Sequence, residues 1–255
     1  LPVLQPERLT DAGFLEALAG LHADLGVVTA YGKILTDAVL ATPRLGLINV
    51  HASLLPRYRG AAPVHRAVIG GETETGVTIV RMVKALDAGP MLARVHCPIG
   101  PDETSDNVER SLATMGAQAM ISVVDALAAG EVRGEPQDES AATYAHRLTK
   151  EEGAIDWARP AAEVHNLIRG LHPWPHAFTF YGDQRLILLK SAVVPGTVVP
   201  PGAIVEAAGD RLHVAAGRDT VAILEIQVEG KRPMTCRQFL AGHRLSIGEL
   251  MKPKP

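Results

Sequence analysis

A chain of 255 residues that is 47% apolar, 21% charged and only 4% aromatic has an ordinary globular composition, long enough for one large domain or two smaller ones. No stretch approaches the roughly 20 uninterrupted apolar residues of a spanning helix, and Leu1 to Thr10 has neither a basic leader nor an apolar signal core, so neither a membrane nor an export role is expected. The net charge of −3 excludes little, although residues 1–149 carry 12 Lys and Arg against 17 Asp and Glu while residues 150–255 carry 13 against 11, a back half compatible with a polyanionic partner.

The two cysteines, Cys97 and Cys236, lie far apart and form no C-x-x-C pair. They read as free thiols of a reducing cytoplasm. In chain order, Asp11 to His22 places Phe14, Leu15, Leu18 and Leu21 on one helical face. Ala23 to Ala30 is a short apolar run that predicts a strand buried on both sides. A short helix over Ile34 to Ala41 follows, then buried strands over Leu45 to Ala52 and Gly76 to Val83, with a helix near Val64 to Ile69 between them. Met91 to Ile99 alternates as a strand does. A long helix begins at Asp106, with a D-x-x-E start in Asp106 and Glu109 and a stop at Gly130.

This alternation predicts an α/β unit, a mostly parallel, Rossmann-like sheet covered by helices, over residues 1–132. Sheets of that kind hold ligands at the carboxyl ends of their strands. Residues 133–150 are polar, without apolar period, and read as a linker. Residues 151–255 open with a helix over Ala161 to Leu171, stopped by Pro173-Trp174-Pro175. Five short strands follow, over Ala177–Tyr181, Arg185–Val194, Gly202–Ala207, Arg211–Ala215 and Val221–Val228, and predict a small OB-like β-barrel. A last helix, Cys236 to Ala241, packs on it.

The most informative stretch is Asn49-Val50-His51-Ala52-Ser53-Leu54-Leu55-Pro56. Asn49 and His51 stand two apart where an apolar strand ends, so both side chains point to one face. Asp87 sits in the tight loop Leu86-Asp87-Ala88-Gly89-Pro90. On residue type alone, the pair also fits a turn former and a hydrogen-bonded histidine, and the acid fits plain turn chemistry. His172 and His176 are four apart, but Pro173 and Pro175 deny them a helix, and no metal site is expected.

The block from Leu45 to Ile99 resembles the folate-dependent formyltransferases, through N-x-H-x-S-L-L-P, RYRGAAP and the L-D-x-G loop in order. The back half resembles the branch acting on methionyl-tRNA, through Asp156-Trp157, Leu171-His172-Pro173-Trp174-Pro175, Lys231-Arg232-Pro233-Met234 and Phe239-Leu240-Ala241-Gly242-His243-Arg244. The resemblance implies 10-formyltetrahydrofolate as co-substrate, methionyl-initiator tRNA as acceptor, no metal and a monomer in the cytoplasm.

It also implies the site. Asn49 and His51 would stabilise the oxyanion formed as the amine attacks the formyl carbon. Asp87 would favour the protonated form of His51 and pass the amine's proton towards the departing folate nitrogen. Ser53, Leu54, Leu55 and Pro56 would border the folate, although the two leucines fit core positions equally well. Arg57, Lys231, Arg232, Arg237 and Arg244 would touch tRNA phosphate, or else form a solvated face.

Two departures from the family pattern stand out. The family normally has two further strands, their helices and a basic loop before the counterpart of Leu1, which predicts a truncated sheet with an exposed edge and poor activity. Val83-Lys84-Ala85 replaces the usual acidic residue or Gly before the L-D-x-G loop. Alternative readings are a formyltransferase acting on a sugar nucleotide or a purine precursor, a formyltetrahydrofolate hydrolase, and a non-catalytic RNA-binding protein.

Overall fold

The computed structural model describes residues 2–196 and 199–254; the outer domain limits expected at Leu1 and Pro255 lie outside them. The order is α1 (Ala12–Ala19), β1 (Gly26–Val28), α2 (Asp37–Ala41), β2 (Leu47–His51), β3 (Arg59–Gly60), α3 (Pro63–Ile69), β4 (Glu74–Arg81), β5 (Met91–Pro98), α4 (Ser105–Ala128) and β6 (Tyr144–Ala145). Then follow α5 (Ala161–Gly170), β7 (Ala177–Tyr181), β8 (Gln184–Val194), β9 (Ile204–Ala208), β10 (Arg211–Ala215), β11 (Thr220–Val228), β12 (Met234–Thr235) and α6 (Cys236–Gly242). Contacts divide the chain into two compact units. The first is Leu1–Pro63, Glu74–Pro98 and Arg110–His146; the second is Val64–Thr73, Ile99–Glu109 and Arg147–Pro255.

In the first unit the sheet order is β1-β2-β4-β5. The α/β class stands, but the sheet is mixed rather than mostly parallel: β1 runs parallel to β2, while β2–β4 and β4–β5 pair antiparallel. The β4–β5 connection is residues 82–90 alone, too short for a helical crossover, which takes a dozen residues or more. β4 is buried along most of its length, as its continuous apolar run predicts. β1 is not buried on both sides: it is the edge strand, three residues long, and Val27 is half exposed.

Among the described residues α4 is the one helix long and apolar enough, by length and composition, to cross a membrane. It instead lies against the sheet, with Leu112, Met120 and Val123 buried and Gly116 close to Val50 and Val77. Its N-terminal box forms earlier than the sequence predicts. Asn107 Oδ1 accepts from the Thr104 amide at 3.0 Å and hydroxyl at 2.7 Å, and the Asn107 amide returns to Thr104 Oγ1 at 3.4 Å. A Thr hydroxyl at the cap with an Asn three residues on satisfies both orphan amides, which displaces Asp106 and Glu109 from that role.

The second unit contains a sheet of order β7-β8-β11-β10-β9, with β12 on β11. The predicted strands appear within one or two residues of their expected limits. Alternate residues (Leu186, Leu188, Leu212, Val214, Val221 and Ile223) are fully buried, as one-sided burial of a pleated sheet requires. The two free edges, β7 and β9, are joined by the segment after α6. Phe180 and Lys252 exchange backbone bonds at 2.7 and 2.9 Å, while Gly248 donates to Ile204 at 2.8 Å and Ile204 to Glu249 at 2.9 Å. The barrel is thereby closed.

A buried polar chain pins the closing segment, as Trp157 Nε1 donates to Thr179 Oγ1 at 3.0 Å and that hydroxyl donates to the Lys252 carbonyl at 3.0 Å. Gly202, with φ +85°, makes the close approach possible, because a Cβ there would strike the Met251 carbonyl. α6 starts from a capping box of Thr235 and Gln238 and buries Cys236 and Phe239.

Candidate active site

β2 ends at His51, and its register against β4 sets Asn49 opposite Val80 and His51 opposite Thr78. The turn that follows is fixed by short polar contacts. Thr78 Oγ1 donates to the Ser53 carbonyl at 2.7 Å and accepts from the Leu55 amide at 3.1 Å, and Ser53 Oγ donates to the Arg57 carbonyl at 2.6 Å. Tyr58, in the left-handed region with φ +60°, turns its carbonyl back to His51 Nε2 at 2.9 Å. A carbonyl only accepts, so Nε2 carries a hydrogen.

Asp87 also adopts a left-handed conformation, φ +48°. Its Oδ2 accepts from the Gly60 amide at 2.9 Å and lies 3.6 Å from His51 Nδ1. That separation is an ion-pair distance rather than a hydrogen bond. The two side chains are only 5% and 13% exposed, so water screens the pair weakly. Nδ1 is thus near an acceptor without being tied to it. Asn49 lies on the same strand face, half-buried, and its side-chain amide makes no hydrogen bond among the described residues. β2 thus presents an uncommitted amide donor two residues before the imidazole, and a carboxylate lies beside that imidazole.

The remaining predicted residues divide. Ser53 and Leu55 are enclosed: the serine hydroxyl is spent on the Arg57 carbonyl, and Leu55 packs in the core with Val80 and Met91. With these two side chains enclosed, what Ser53 and Leu55 leave open to a ligand is their main chain. Leu54 and Pro56 remain half-buried, with Leu54 lying over Gly76. Arg57 is exposed beside the Tyr58 ring, 5.2 Å from its centroid. Lys231, Arg232, Arg237 and Arg244 are all exposed on and around β12 and α6.

Several contacts around these residues follow no sequence period. Arg59, 2% exposed, is gripped by Glu139, whose oxygens accept at 3.0 and 2.7 Å. The Glu139 carboxylate raises the Arg59 pKa above its ordinary value and is itself held low by the guanidinium. Thr143 Oγ1 accepts from the Tyr58 amide at 2.9 Å, and the Thr143 carbonyl from the Arg59 amide at 2.8 Å. β6 pairs with β3. Much of the stretch expected to be a linker is therefore a strap along residues 58–60, held by backbone bonds that its polar composition does not announce.

Within the second unit, a cavity of about 410 Å³ is lined by residues that include Asp102, Lys190, His172 and His176. The imidazoles lie 5.3 Å apart with both Nδ1 atoms unpartnered, and burial, then the neighbouring His172, lowers the His176 pKa. No cluster of three or more metal-ligating side chains occurs among the described residues. Cys97 and Cys236 are buried thiols outside any disulfide, and burial raises Cys236 to about 11.

Comparison with known proteins adds a second line. Residues 2–124 match the family described as formyl transferase, and residues 147–244 match the formyl transferase C-terminal domain. The chain is 47% identical over 234 residues to the methionyl-tRNA formyltransferase of Stutzerimonas stutzeri (92% of this chain, 74% of that protein). It is 45% identical over 253 residues to that of Desulfotalea psychrophila (99% and 78%). In fold it is similar to the methionyl-tRNA formyltransferase from Clostridium thermocellum, with TM-score 0.58 and 16% identity over 80% of this chain and 82% of that one. It is also similar to HypX from Aquifex aeolicus, with TM-score 0.68 and 15% identity over 92% of this chain and 43% of that one.

Proposed function

The chain belongs to the formyl transferase family, and from that footing we propose how its residues divide the work of moving a formyl group from 10-formyltetrahydrofolate to the amino group of methionyl-initiator tRNA. The neutral amine attacks the formyl carbon, a C–N bond forms, and the carbonyl π electrons move onto oxygen. The Asn49 amide and a hydrogen on His51 Nδ1 stabilise that oxyanion. Asp87 takes the proton released by the amine and returns it to the folate nitrogen as the C–N bond to folate breaks. No covalent enzyme intermediate is required. The observation that carries this reading is the half-open His51–Asp87 pair, 3.6 Å apart, on the strand face that bears Asn49.

The first unit holds the folate, through the main chain of Ser53 to Pro56 and the surfaces of Leu54 and Pro56. Lys231, Arg232, Arg237 and Arg244, with Arg57, contact tRNA phosphates. The protein acts in the cytoplasm as a monomer, without membrane attachment.

The deciding experiment incubates the protein with 10-formyltetrahydrofolate, with and without methionyl-initiator tRNA. Formylmethionyl-tRNA should accumulate, and formate should not appear at a comparable rate when the acceptor is omitted. Formate release that ignores the acceptor would replace this reading with a hydrolase. The basic residues have a separate signature. Alanine at Lys231, Arg232, Arg237 or Arg244 should weaken tRNA binding and flatten the log K against log salt slope by about 0.7–1 per lost phosphate contact. A residue whose loss leaves the slope intact does not belong to the set.

A further inference from the structure

We propose that Gln137 is a positioning residue for formyl transfer, holding the Asp87 loop through hydrogen bonds to its backbone; this rests on the assignment of Asp87 to the reacting centre. Gln137 comes from the polar strap after α4, far from Asp87 in sequence. Its Nε2 donates to the carbonyls of Asp87 at 2.6 Å and Gly89 at 2.8 Å. Its Oε1 accepts from Arg59 Nε at 3.0 Å and from a terminal Arg59 nitrogen at 2.8 Å. Only this orientation of the amide satisfies all four contacts, because the flipped group would set oxygen against two carbonyls and an NH2 against a guanidinium.

The geometry has a consequence for Asp87. Its left-handed backbone is disfavoured for a residue with a Cβ, so it persists only where the surroundings over-determine it. The carbonyls on Asp87 and Gly89, either side of Ala88, are captured by one rigid amide, and that amide is itself fixed by Arg59, held in turn by Glu139. Arg59 adjoins Gly60, whose amide grips the Asp87 carboxylate at 2.9 Å. One group of side chains therefore sets both the backbone and the carboxylate of Asp87. Gln137 touches neither reactant, and its effect runs wholly through where the carboxylate stands relative to His51.

The discriminating variant is Gln137→Glu. It keeps an oxygen for Arg59, so any role in merely tethering the strap survives, but it replaces the donor with an acceptor facing two carbonyls. The expected result is a kcat lower by about 10–100-fold, with KM for both substrates and the thermal midpoint little changed. The His51 ring resonances, read by NMR in the ligand-free protein and so independent of turnover, should move towards those of Asp87→Asn.

Parental kcat, or a lowered kcat with unmoved His51 resonances, overturns the proposal. Should the glutamate variant fail to fold, Gln137→Met removes the donor without adding charge, and the same two readouts decide. Asp87→Asn and His51→Ala run alongside. Parental turnover in those two removes the site assignment itself, whereas their failure beside an unaffected Gln137→Glu removes only the role given to Gln137.

Discussion

Asn49→Ala is expected to lower kcat by about 10²–10³-fold while leaving stability close to that of the parent. The side chain is half-buried and makes no hydrogen bond among the described residues, so truncating it orphans no protein group. In the proposed mechanism its amide finds its partner as the formyl oxygen becomes an oxyanion. A contact made only in the transition state lowers kcat and kcat/KM together when removed, with KM steady. Asn49→Asp should be worse than Asn49→Ala, since it sets a carboxylate against the developing charge in nearly the same volume. His51→Ala should cost a similar factor, and the double variant much less than the product of the two, because the donors act on one oxygen. Steady-state kinetics on the purified variants settles this; an Asn49→Ala protein turning over at the parental rate has no place for Asn49 at the reacting centre.

The second large effect is expected at Gly89. A Cβ at this buried position would run into the carbonyl of Arg81, at the end of β4, and would also lie 3.4 Å from Val83. The obstacle is backbone, and it cannot swing aside. The Arg81 amide is bonded to the Pro90 carbonyl at 2.9 Å, which ties the loop to the strand it would have to leave. Gly89→Ala must therefore lift the L-D-x-G loop and carry Asp87 with it. A shift near 1 Å at a catalytic group costs about 10²-fold in rate, and overpacking of this kind costs about 1–3 kcal/mol of stability. Turnover and a thermal melt measured together test both halves; a variant with parental kcat would show that the loop is freer than its bonds imply. The glycine of this motif is thus required by the approach of β4.

Periodicity carried much of the fold. The apolar runs at 45–52 and 76–83 became β2 and β4, and the punctuated strands after residue 176 became the barrel. Spacing also placed Asn49 and His51 on one face. Strand direction was less legible, because a run of apolar residues pairs equally well either way; the short connection accounts for the antiparallel β4–β5 pair, while β2–β4 is antiparallel across a longer connection through α3. The polar stretch after α4 was the largest loss. Gln137, Glu139 and Thr143 follow no period, and their partners, Asp87, Arg59 and Tyr58, lie 50 to 85 residues away. Which side chains of the Ser53–Pro56 turn are enclosed was hidden for a related reason: it depends on Thr78 across the sheet.

The hydrogen bond between Thr179 and Lys252 spans 73 residues of sequence, and this sets a timetable for synthesis. At roughly 5–20 residues per second on the ribosome, the first stave of the second unit emerges on the order of ten seconds before the segment that seals it. For that interval two strand edges stand bare, each a template for any passing extended chain. The segment from Gly248 to Lys252 therefore acts as the fastening of the barrel, and nascent chains interrupted before it are the forms most exposed to misassembly and to chaperone capture.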